Sequence, residues 1–264
     1  MRLLPFAALL LSCAALAADC PRIVSQSPYI TLQLEWLGLT KCIVGASRYE
    51  KHIQVADTGG VIDPDGRAIA RLKPDLVITS NWTKPEALAA VTPANAHALR
   101  LDSFRSMSEI EENLRQIGHA AGVPDTEARA AAFAHLWRKK AQGIGRGERV
   151  LLLSSCTGQP YSFGRQTWLG ELFTAMGFAL VETASGVRHL AREATEKEIA
   201  ARIEAVRPDL VFIFTRQIAD HCAAIPLPEG VRLVPLDGDK FLHPAPVLLD
   251  GLDELRRTMT KLDR

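Results

Sequence analysis

The tetrapeptide Pro-Asp-Leu-Val occurs twice in this chain, at Pro74 in RLKPDLVITS and at Pro208 in AVRPDLVFIF. Each copy follows a charged stretch of helical character and opens a short apolar run. Proline stops a helix because it has no N–H to donate and disfavours helical backbone in the residue before it. The run that follows is short enough to be a strand buried on both faces of a parallel sheet. Helix, tight turn and central strand, written twice, predict two similar α/β lobes.

The rest of the chain keeps that rhythm. RIVSQS, CIVGAS, DLVITS and HALRLD read as strands, separated by helices in YITLQLEWLGL, RAIARLK and KPEALAAV. Ser106 or Ser108 caps a further helix ending at Gly122. RVLLLSS, ALVET, DLVFIF and VRLVPL repeat the pattern with helices between them, and PVLLDGLDELRRTMTKL closes it. Between the halves, PDTEARAAAFAHLWRKKAQGI reads as one long helix, stiffer than a Gly/Ser linker. The predicted fold class is therefore α/β: two lobes with mainly parallel sheets, joined by one long helix. The expected divisions are a leader at 1–17, lobes at 18–122 and 147–264, and the joining helix at 123–146. Ligands of such sheets bind beyond the carboxyl ends of the strands, which places the site in a cleft between the lobes.

The first residues read differently. Arg2, the apolar run Leu3 to Leu16 and the small residues Ala15 and Ala17 form an export signal, with cleavage expected after Ala17. The alternative is a lipid anchor on Cys13, in LLSC. Removing the leader leaves Cys20, Cys42, Cys156 and Cys222. In an oxidising compartment four cysteines favour disulfides, with three possible pairings. Cys20 and Cys42 each border strands expected to be neighbours, and Cys156 and Cys222 both lie beyond strand ends of the second lobe, so these are the expected pairs. No Cys/His spacing suggests zinc. The net charge of +1 is spread without a basic tract, which argues against a nucleic-acid partner.

The order and spacing of several segments resemble a known family. PRIVSQSPYITLQLEWLGLTKCIVGASRY and GGVIDPDGRAIARLKPDLVITSNW are similar to the first lobe of ABC-importer substrate-binding proteins for iron–siderophore, haem and cobalamin. QPYSFGRQTWLGELFTAMGF and VRLVPLDGDKFLHPAPVLLDGLDEL are similar to its second lobe, and the likeness spans the mature chain. The resemblance implies a periplasmic, monomeric, non-enzymatic protein without a cofactor. Its ligand would be a metal chelate, cobalamin or a ferric siderophore, delivered to an inner-membrane permease.

Positions just after strand ends supply the candidate ligand contacts: Tyr49 and Trp82 in the first lobe, and Tyr161, Phe163, Arg216, Asp239 and Phe241 in the second. Aromatic faces suit large planar chelates, and a few polar groups orient them. Tyr49, Trp82, Tyr161 and Asp239 fall where the family's cobalamin binders place pocket residues. Arg48, Arg165 and Arg188 suit anionic groups, while His52, His189, His221 and His243 could meet haem iron or a bare metal. Trp36, Trp137 and Trp168 read as packing residues. The family's two docking glutamates fall on Arg67 and Ala201 here, so Asp65 and Glu198 are the expected replacements. Two other functions compete. One is binding of free zinc or manganese, or of haem; the other is a secreted enzyme using Cys156 with His189 or His221 as its base.

Overall fold

The structure, a computed structural model, describes residues 20–154, 160–189, 196–215 and 227–262. The first half runs β1 (Ile23–Ser25), α1 (Pro28–Trp36), β2 (Ile43–Ala46), β3 (Ala56–Asp57), α2 (Gly66–Arg71), β4 (Leu76–Ser80), α3 (Pro85–Val91), β5 (His97–Leu101) and α4 (Met107–Ala120). After α5 (Thr126–Ala141), the second half runs β6 (Arg149–Ser154), β7 (Tyr161–Phe163), α6 (Trp168–Ala175), β8 (Ala179–Leu180), β9 (Val187–His189) and α7 (Glu196–Val206). It closes with β10 (Leu210–Thr215), β11 (Arg232–Asp237), α8 (Gly238–Phe241) and α9 (Leu248–Leu262).

The first sheet has the order β3-β2-β1-β4-β5, and all its pairings are parallel. The second has the order β11-β10-β6-β7-β9, with β8 beside β6. Its β6, β8, β10 and β11 are parallel, and β7 pairs antiparallel with both β6 and β9. The second sheet is therefore mixed, where the sequence suggested only strand-first parallel units.

The repeated Pro-Asp has a physical cause. The Asp75 carboxylate accepts the Arg22 N–H at 2.8 Å, while the Arg22 guanidinium donates to the Leu72 carbonyl at the end of α2. In the second half the Asp209 carboxylate accepts the Arg149 N–H at 2.7 Å, and the Arg149 guanidinium donates to the Val206 and Arg207 carbonyls behind α7. Each clasp ties the start of one central strand to its parallel neighbour and satisfies carbonyls orphaned at a helix end. Both need a sharp exit from the helix, and the residues before the prolines, Lys73 and Arg207, each have φ of 48°.

α5 is the long helix expected between the halves, and it packs into both. Its buried side includes Ala130, Phe133, Trp137 and Ala141, all within one apolar core that also holds residues of both sheets. Trp137 donates to Glu111 of α4 at 2.8 Å, and Lys140 pairs with Asp253 of α9 at 2.5 Å. Trp36 donates to the Arg129 carbonyl at 3.0 Å. The helix thus belongs to the packing of both halves. α4 begins with a full capping box: Ser106 Oγ accepts the Glu109 N–H and the Glu109 carboxylate accepts the Ser106 N–H. Cys20 and Cys42 are joined by a disulfide that closes the first β-α unit. Cys156 and Cys222 lie outside the described residues, as do the leader with Cys13, and Arg216 and His221.

Candidate functional site

In the first sheet the chain turns back between β1 and β4: β2 and β3 lie on one side, β4 and β5 on the other. Beyond the carboxyl ends of such a pair, the loops part and leave a crevice. Small polar residues line these ends, with Ser25, Gln26, Ser27, Ser47, Thr79 and Ser80 all buried. Tyr29, in the first turn of α1, is inserted there edge-on to Phe104. Burial pushes its phenol above the usual tyrosine range, opposed by the Ser80 and Ser27 hydroxyls beside it.

Two large aromatic side chains stand at the same end and are unusually exposed: Tyr49 at 56% and Trp82 at 69%. Their turns are held firmly. Arg48 donates its N–H to the Gly59 carbonyl at 2.8 Å and pairs with Asp63 at 3.0 Å. One oxygen of Glu50 accepts the N–H groups of both Lys51 and His52. Around Trp82, Arg100 donates to the carbonyls of Asn81 and Thr83, and the Thr83 hydroxyl to that of Val61.

In the second sheet Tyr161 opens β7, half-buried, with its ring 5.4 Å from Phe163 and 5.7 Å from His189 directly across on β9. Asp239 sits in the first turn of α8, its carboxylate 4.0 Å from the ring of the buried His243. Phe163 and Phe241 correct the sequence reading. They are 2% and 0% exposed and belong to a cluster with Phe173, Phe214 and Trp168. Their faces are spent on other rings rather than offered to a ligand. Among the described residues neither Tyr49 nor Trp82 makes a ring contact with this cluster.

This architecture has relatives. A family model described as periplasmic binding protein matches residues 23–225. The chain belongs to the periplasmic binding protein family. The ABC transporter substrate-binding lipoprotein YvrC of Bacillus subtilis (strain 168) is 24% identical over 241 residues, covering 84% of this chain and 74% of the relative. A periplasmic haem-binding protein from Pseudomonas aeruginosa superposes with a TM-score of 0.73 at 23% identity, covering 91% of this chain and 92% of that one. The vitamin B12 binding protein BtuF of Vibrio cholerae gives a TM-score of 0.68 at 17% identity, covering 93% and 99%. These structural likenesses establish the two-lobed fold.

Among the described residues, no helix is long and apolar enough to cross a membrane, and no three His, Cys, Asp or Glu side chains cluster as a metal site. Of the docking candidates, Asp65 caps α2, one oxygen accepting the N–H groups of Arg67 and Ala68. Its carboxyl is held below the usual range, chiefly by the Ala68 N–H. Glu198 is exposed on α7. Sequence reasoning passed over Tyr29 and the polar strand ends; the signal was the run SQSPY directly after a strand.

Proposed function

We propose that this periplasmic binding protein captures a bulky metal chelate, a corrin, haem or ferric siderophore, and hands it to an inner-membrane permease. One observation carries the reading: Tyr49 and Trp82 stand exposed on braced turns at the carboxyl ends of β2 and β4. Planar or bulky chelates bury well against such rings. Tyr161 is the matching aromatic of the second lobe, and Asp239 a polar group for orientation. The solved relatives that bind haem and vitamin B12 support the same ligand class. Asp65 and Glu198 are the carboxylates that would meet basic residues of the permease, setting orientation more than affinity.

A thermal-shift and absorbance panel with cobalamin, haem and several ferric siderophores tests the ligand class. A ligand at a hundred times its dissociation constant adds about 2.7 kcal/mol of stability. At least one member of the panel should therefore raise the melting temperature saturably; a flat response to all of them would overturn the reading.

A further inference from the structure

α7 covers one face of the second sheet and presses Ile203 onto Leu151, Leu153 and Val211, an apolar cluster separate from the main core. Beside that contact lies a cavity of about 250 Å³. Its walls are chiefly apolar, from Leu151, Ile203 and Val206, and its rim carries Glu182, Arg188 and Arg202.

The rim charges are unequally matched. Glu182 is only 5% exposed and fully engaged: one oxygen accepts the Ser162 hydroxyl at 2.5 Å, the other the Ala184 N–H at 2.8 Å. Arg188 stands 3.4 Å from that second oxygen and shares its charge. Arg202 is exposed and makes no ion pair among the described residues. The cavity therefore offers an apolar interior and, at its rim, a guanidinium with no ion pair among the described residues. A guanidinium in that position favours a carboxylate, which it can grip with two parallel hydrogen bonds.

We propose that this cavity binds an aliphatic monocarboxylate, its tail against Leu151, Ile203 and Val206 and its head on Arg202. An apolar cavity of about 150 Å³ holds benzene, so this volume suits a chain of about six to eight carbons. Glu182 on the opposite rim disfavours a second negative charge, which excludes dicarboxylates.

Calorimetric titration of the whole chain with octanoate tests this, independently of any chelate. Octanoate should bind saturably and raise the melting temperature, while octylamine should not. Arg202→Gln, at an exposed position, should weaken octanoate about tenfold with the fold unchanged. Val206→Phe should fill the cavity from its half-buried wall and abolish binding without lowering the melting temperature. Equal binding of octylamine, unaltered affinity in R202Q, or no octanoate binding up to its solubility limit would each overturn the proposal.

Discussion

The two lobes share one device and differ in how they use it. Both anchor a central strand with an Asp–Arg clasp, Asp75 with Arg22 and Asp209 with Arg149. Around that clasp the first lobe builds an all-parallel sheet, and its large exposed aromatics sit on loops. The second lobe adds β7, antiparallel to both β6 and β9, and its candidate aromatic, Tyr161, sits on that strand. Among the described residues the first lobe is braced by a disulfide, the second by edge-to-face rings. The lesson is that the repeated motif fixes the centre of each sheet, while the edges are free to specialise.

The largest expected effect breaks the second lobe's brace. Phe173 meets Phe178, Phe212, Phe214 and Phe241. Phe173→Ala should cost about 3–5 kcal/mol in denaturant unfolding, because it leaves a ring-sized cavity among side chains that cannot collapse. A loss below about 1 kcal/mol would mean the cluster is loosely packed.

Breaking the first lobe's brace comes next. The Cys20–Cys42 bond spans 22 residues, and replacing both by serine should cost about 3 kcal/mol by loop entropy. An unchanged midpoint would assign that unit's stability to packing alone. The clasps sharpen the comparison directly: Asp75→Ala and Asp209→Ala should each cost about 1–2 kcal/mol, by similar amounts. A twofold or greater inequality would show that the repeat is one of sequence but not of energetics.

The smallest effect concerns Asp65. Its folded carboxyl titrates below its unfolded value because it caps α2. Its stabilising contribution is present above the unfolded carboxylate range and is lost as pH falls through the lowered folded value. Asp65→Asn should flatten the acid limb of the stability profile slightly; an identical profile would show that the cap contributes nothing measurable.

The strand-helix rhythm of the first lobe was readable because each segment carries its own signal. Pro74 ends a helix, Ser106 starts one, and the β-branched run after Asp75 is buried throughout. β7 and β9 were not readable. Each has three residues, too few to show alternation, and their direction is set by pairing with each other and with β6. The same gap explains the site. Aromatic residues after strands are visible in sequence, but whether a ring faces solvent depends on distant partners. Among the described residues Trp82 has no ring neighbour, whereas Phe241 packs on Phe173 and Phe214, residues far away in the chain. By contrast, Trp137 announced from sequence a buried face of α5, which both halves share.

The central claim is that one ligand is held jointly, by Trp82 from a first-lobe loop and Tyr161 from a second-lobe strand. The direct measurement is the dissociation constant of the best chelate for Trp82→Ala, Tyr161→Ala and the double variant. Each single change should weaken binding about five- to hundredfold, the equivalent of about 1–3 kcal/mol for a lost ring contact, with melting temperatures of the free proteins unchanged. Unaltered affinity in both single variants would contradict the account.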